Sequence, residues 1–370
     1  MSAQPALSMR LADLTRGRDN NLTLLRFLAA TAVVYAHSFG LLELTHAEPF
    51  FRLFGKGIGD FGVDIFFVVS GLLVTKSLLG KETLGPFIWA RVTRIFPALW
   101  ISTLLWVVVV GAFLSPLGPE FWSQSTTLSY IAKNMTMLPG FGAQVNLPHA
   151  FAKGGPEFNV PLWTLPHELQ MYGLLVLSGL LGIVRRRWIV SIIVAAAFAC
   201  MVQHEFGIGS LIDETRARFV FFFFSGVSIY LFRDRIHLKG SVATGCCLLV
   251  GVLLLNPGLE VRRLALAGVT PYLVVWFAFV PRGPIRRYNV VGDYSYGIYI
   301  LAFPVQLILR NVLGIKLPML HFAASLCCVL PLAILSWHLI EQRALHFPAP
   351  TFLRRLLNFR PVRETPAVNP

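Results

Sequence analysis

Two ionisable side chains sit in LLRFLAATAVVYAHSFG, residues 24–40: Arg26 and, eleven residues later, His37. A guanidinium offers forked donors that match carboxylates and phosphates. An imidazole titrates near neutrality and is well suited to proton transfer. At 1.5 Å per helical residue the two lie roughly 16 Å apart along one axis. Each also has a plainer reading, Arg26 as an interfacial anchor that snorkels to water and His37 as a helix-end ring satisfied by a carbonyl. In so apolar a stretch, an ionisable residue is costly enough to point to function.

Three more stretches carry such chemistry. In GDFGVDIFFVVSGLLVTKSLL, Asp60 and Asp64 are four apart and share a helical face. Asp60 suits a helix N-terminus, where negative charge is favoured; Asp64 is free to pair with His37 or to cap as well. In FIWARVTRIFPALW, Arg91 and Arg94 are three apart, either a phosphate-binding pair or ordinary basic flanking of a membrane helix. In VPLWTLPHELQMYGLL, Pro166 suits a first helical turn, which puts Glu168 at the outer end of a helix and Tyr172 one turn deeper. Glu168 with Trp163, His167 and Tyr172 can orient a sugar hydroxyl or an imidazole; helix capping is the competing explanation.

The elements that must position these groups are membrane helices. Of 370 residues, 55% are hydrophobic and 14% charged, with mean hydropathy +0.66. A soluble domain is about one quarter charged, and here apolar runs recur along the whole length. On the rule of about 20 apolar residues per span, ten candidates fall at 22–42, 61–80, 95–115, 166–184, 188–205, 217–232, 240–256, 263–281, 291–313 and 318–340. Barrel strands would instead alternate polar and apolar over about ten residues. The expected fold is an all-α integral membrane protein, about ten transmembrane helices in one bundle.

Net charge +14 raises nucleic acid as a partner, but the charge distribution points to topology. With an even span count and a cytoplasmic N-terminus, 22 of the 32 basic residues fall inside, including the Arg185–Arg187 cluster. The positive-inside rule then puts both termini in the cytoplasm. The expected division is a leader at 1–21, a membrane domain at 22–341 with a long outer loop near 116–160, and a cytoplasmic tail at 342–370. The five cysteines lie in apolar runs without metal or disulfide spacing and read as core packing. No metal is expected.

Taken in order, these stretches resemble the membrane acyltransferase-3 family, the polysaccharide and lipopolysaccharide O-acetylases. The resemblance rests on Arg26-x10-His37, GVDIFFVVSG, Arg91-x-x-Arg94, LWTLPHE, GDYSYGIYI and the closing LIE. Each is weak alone; their order and placement are specific. Two departures stand out: His167 before Glu168, where the family often has a small or aromatic residue, and the absence of the proline that commonly follows Ile-Glu.

The resemblance implies an acyl-CoA donor, acetyl-CoA foremost, on the cytoplasmic side of a bacterial inner membrane, and a glycan acceptor on the outer side. It makes Arg26, Arg91 and Arg94 the donor-binding arginines. On that reading His37 acts as general base or transient acyl carrier, Glu168 and Asp64 orient the imidazole or the acceptor, and Trp163, His167 and Tyr172 are acceptor contacts. A membrane transporter or flippase for a lipid-linked sugar is the alternative, since intramembrane charges suit that equally well.

Overall fold

In a bilayer, every backbone amide and carbonyl must find a partner within the protein, so apolar runs without barrel periodicity fold as helices. The computed structural model describes residues 9–17, 19–80, 83–137, 147, 151, 158–255 and 258–354. Much of the second half of the expected outer loop, the tail beyond 354, and the inner-side charges Arg18 and Lys81 lie outside the described residues. The described residues contain one two-residue strand pair, Met9–Arg10 against His237–Leu238. Regular structure elsewhere is helical.

Ten helices fall on the ten expected places: α1 Leu22–Gly40, α2 Ile58–Leu79, α3 Leu84–Val109, α4 Thr164–Leu180, α5 Arg187–Glu205, α6 Glu214–Leu231, α7 Gly240–Leu253, α8 Leu259–Phe279, α9 Ser295–Asn311 and α10 Pro318–Ser336. Six of them, α1, α2, α3, α5, α8 and α10, are long and apolar enough to cross a membrane. The helices α4, α7 and α9 run 17, 14 and 17 residues, and α6 carries Glu214, Arg216 and Arg218 within its 18. Between α3 and α4, the expected loop contains a further helix, Ser125–Thr136.

Two sequence expectations need correction. The third helix begins at Leu84, eleven residues before the expected start at 95, so Arg91 and Arg94 lie within it rather than ahead of it. A hydropathy window stops at two arginines; the fold continues through them because carboxylates from other helices meet one of the two. Of the cysteines, Cys200 does pack half-buried against the core, but Cys247, Cys327 and Cys328 are exposed on the outside of the bundle and Cys246 is half-buried.

Small residues let the helices approach closely, as membrane packing favours. A Cβ on Gly71 of α2 would stand 2.0 Å from the Phe223 carbonyl of α6, and one on Gly226 of α6 would stand 2.2 Å from the Val68 carbonyl of α2. Contacts rise together along these two helices, Asp64 with Arg218, Phe67 with Phe219 and Gly71 with Phe223, so α2 and α6 run parallel. Against α1 the register runs the other way, with Gly62 on Ala29 and Gly59 on Ala36. Parallel to α6 runs α4, pairing Trp163 and His167 with Phe219, and Tyr172 with Phe223. The starts of α2, α4 and α6 therefore point to one end of the bundle, and the starts of α1 and α9 to the other.

Candidate functional site

A cavity of about 450 Å³ opens among α1, α2, α3, α4 and α9 and the end of α10. Its polar lining is Arg26, Ser70, Arg91, Arg94, Thr164, Glu168, Tyr172, Asp293, Ser295, Tyr296 and Tyr299; Val63, Phe66, Phe67 and Leu73 supply much of the apolar wall. Of the residues expected to do chemistry, Arg26, Arg91, Arg94, Glu168 and Tyr172 meet here.

Three arginines reach the cavity, and they are not equivalent. Arg26 donates to Asp293 Oδ2, and Arg94 Nη2 reaches the same oxygen at 2.7 Å. Arg94 Nη1 also lies 3.5 Å from Glu341 Oε2. Asp293 sits just ahead of α9, its other oxygen taking the Ser295 hydroxyl at 2.5 Å. Glu341 belongs to a π-helical turn, Trp337–Glu341, that extends α10, and Ser336 donates to its Oε1 at 2.9 Å. Such a turn breaks the regular helical register and recurs at functional sites. Its carboxylate is only 2% exposed, so Arg94 is the partner that makes its burial tolerable.

Arg91 has no ion pair and no hydrogen bond among the described residues, and its buried Nε is without an acceptor. Its guanidinium lies 5.8 Å from the Phe87 ring and 6.0 Å from that of Tyr172. The ring faces favour the cation, while its donors stay free for an anion from outside the protein.

Glu168 Oε1 accepts from the Tyr172 hydroxyl and from Ser70 Oγ at 3.3 Å, and the two hydroxyls are 3.1 Å apart. Ser70 lies twelve residues beyond Ile58, the start of α2, which places Glu168 roughly 18 Å inward from that end of the bundle. The sequence puts Glu168 at the outer end of its helix; it does fall in the early turns of α4, but that helix starts deep among its neighbours and Glu168 lines the cavity. Near the mouth at the other end, outside the crossing helices, burial and then the Asp293 charge push the Tyr288 phenol up to about 12, so it remains a neutral donor.

The remaining expected residues lie elsewhere. His37 is near the far end of α1, level with the start of α2, with its ring edge-on to Phe303 at 5.0 Å. Its ring makes no hydrogen bond among the described residues and does not line the cavity. Asp64 pairs with Arg218 Nε at 2.7 Å and not with His37; Asp60, in the first turn of α2, takes Arg218 Nη1 at 3.0 Å. Trp163 and His167 gather on the Phe219 ring, at 5.5 and 5.2 Å, and Phe219 stacks on the cavity residue Phe67 at 4.1 Å. They stand one ring behind the cavity wall.

Sequence reasoning assigned no role to Ser70, Asp293, Glu341 or Arg218. The first three lie inside quoted stretches, GVDIFFVVSG, GDYSYGIYI and LIE. A search for acids to match the intramembrane arginines would have found Asp293 and Glu341; Ser70 has no comparable signal.

Residues 19–338 match the family model described as the acyltransferase domain. The O-acetyl transferase of Shigella phage Sf6 is 28% identical over 352 residues, 90% of this chain and 98% of the relative. Nodulation protein 10 of Rhizobium leguminosarum bv. viciae is 28% identical across 92% of this chain and 97% of its own. Exopolysaccharide production protein ExoZ of Rhizobium meliloti (strain 1021) is 27% identical across 77% and 89%. No solved structure matches the chain significantly.

Proposed function

The chain belongs to the membrane acyltransferase-3 family, and from that premise we propose that it is an O-acyltransferase of the polysaccharide type. It moves an acyl group, acetyl foremost, from cytoplasmic acyl-CoA to a hydroxyl of a cell-surface glycan or its lipid-linked precursor. It would do so from a bacterial inner membrane, with ten spans and both termini in the cytoplasm. The observation that carries this reading is a cavity offering a free guanidinium, Arg91, on one wall and a hydrogen-bonded carboxylate, Glu168, on another. Coenzyme A brings phosphates for the former; a hydroxyl acceptor needs a proton acceptor such as the latter.

Donor phosphates would enter from the end where α1 and α9 begin, which the basic residues make the cytoplasmic side. Arg91 would bind them first, with Arg26 and Arg94 behind it. Trp163 and His167 would guide the acceptor on the outer approach, and Tyr172 would meet it in the cavity. Two groups can handle the hydroxyl proton. His37 serves as general base or as transient acyl carrier at the outer end of the path; Glu168 stands in the cavity itself. Asp64, held by Arg218, would act on either only through the packing of α2 against α6.

Purified protein in vesicles, given acetyl-CoA labelled in the acetyl group and surface polysaccharide extracted from its host, should add acetyl-sized mass to the glycan. Label left on the protein without acceptor, mapped to His37, would identify a carrier. Passage of glycan or its lipid-linked precursor across the vesicle with no mass gained would instead support the transporter reading, which the deep start of α4 also suits.

A further inference from the structure

We infer that Glu168 is the general base that takes the proton from the acceptor hydroxyl, and that Ser70 is its positioning residue. The inference rests on the acyltransferase reading above and deepens it by choosing between the two proton acceptors.

Among the described residues two carboxylates line the cavity, Asp293 and Glu168. Asp293 is held by two guanidiniums and the Ser295 hydroxyl, so its lone pairs are committed. Glu168 has no ion pair among the described residues. Both of its hydrogen bonds, from Tyr172 and Ser70, go to Oε1. Oε2 has no partner among the described residues and belongs to a half-buried side chain on the cavity wall. One oxygen is fixed and the other is open, which is the geometry a proton acceptor needs. Among the described residues no histidine lines the cavity; His37, on Phe303 one helical turn beyond the lining residue Tyr299, is roughly 16 Å from Glu168 along the bundle axis by helical rise. A hydroxyl placed against Oε2 stands in the same cavity as Arg91, the proposed contact for the donor's phosphates.

The step balances within these groups. The acceptor O–H gives its proton to Glu168 Oε2 as the oxygen bonds to the thioester carbonyl carbon. The C–S bond then breaks, and the departing sulfur of coenzyme A recovers the proton from Glu168, restoring the carboxylate. Ser70 and Tyr172 keep Oε1 in place throughout and hold Oε2 toward the acceptor.

The test uses the full-length protein in vesicles, with labelled acetyl-CoA and host surface polysaccharide for transfer and equilibrium dialysis for coenzyme A binding. Glu168→Gln should bind coenzyme A within about twofold of wild type yet transfer at least about 100-fold more slowly, the low end of a general base's contribution. Glu168→Ala, also inactive, should recover transfer when formate is added, because a small carboxylate can occupy the vacated space. Ser70→Ala should lower kcat several-fold at unchanged KM for acetyl-CoA, and Ser70→Thr, which restores a hydroxyl, should recover it. Transfer by Glu168→Gln within about tenfold of wild type would overturn the assignment, as would a Glu168→Ala protein that folds, binds coenzyme A and ignores formate. If Ser70→Thr is as slow as Ser70→Ala, Ser70 does not position the base. Failure of the wild type to transfer acetyl at all, with the protein folded, defeats the acyltransferase reading itself.

Discussion

A guanidinium remains charged inside a bilayer, so each arginine around the cavity must have a carboxylate or await a ligand. Arg26 and Arg94 have Asp293; Arg94 also has Glu341. Arg91 has neither. Truncating the two members of the Arg91-x-x-Arg94 pair should therefore give opposite phenotypes. Arg91→Ala should weaken coenzyme A binding about 10- to 100-fold, the loss of a charge-assisted hydrogen bond worth about 1.5–3 kcal/mol, with little change in melting temperature. Arg94→Ala leaves Glu341 buried and uncompensated, which costs about 3–5 kcal/mol in comparable pairs, so its melting temperature should fall clearly. Dialysis and thermal unfolding in detergent measure the two effects separately. Equal losses of affinity without any difference in stability would mean that Arg94 also meets the ligand directly.

Helix packing is where glycine earns its place. Gly71 and Gly226 allow α2 and α6 to touch backbone to backbone, and this contact aligns Ser70 with the wall that Glu168 occupies. Gly71→Ala puts a methyl group 2.0 Å from the Phe223 carbonyl, so the helices must separate. Such overpacking typically costs about 1–3 kcal/mol. Melting temperature and transfer should drop together. Gly245→Ala in α7 is the control: nothing lies within 4 Å of its Cβ position, and alanine favours a helix by up to about 1 kcal/mol. A fall for Gly245→Ala as large as for Gly71→Ala would show that helix propensity, not the α2–α6 contact, sets the effect. The π-helical turn at the end of α10 works at the same scale, since Glu341 on that turn meets Arg94 and receives the Ser336 hydroxyl.

Over the whole molecule, helix directions and charge distribution must agree for donor and acceptor to arrive at opposite ends of one cavity. With the five native cysteines replaced by alanine, Ser123→Cys should react with a membrane-impermeant thiol reagent added outside intact cells. Ile285→Cys should react only after the membrane is opened. The expectation follows from basic residues gathering at the Ile285 end, including Arg282, Arg286 and Arg287. The reverse pattern would exchange the donor and acceptor sides.

Class and helix positions were legible in the sequence because they depend on local composition. Helices occupy all ten runs, six of them long and apolar enough to cross a membrane, and for those unpaired backbone is too costly in lipid to leave a choice. The residue types with chemistry were legible for a similar reason: a charge in an apolar run stands out wherever it finally lies. Their grouping was not legible. Asp293 meets Arg94 across 199 positions of chain and Arg26 across 267. No local window could therefore show that two arginines are matched and Arg91 is not, or that the third helix runs on through both Arg91 and Arg94. The sequence joined Arg26 and His37 as a pair on one helix; the structure separates their surroundings, the first in the cavity and the second against Phe303. It also carries Glu168 inward to Ser70, because the depth at which α4 begins is set by what α4 packs against, and an outer loop of any length can feed it.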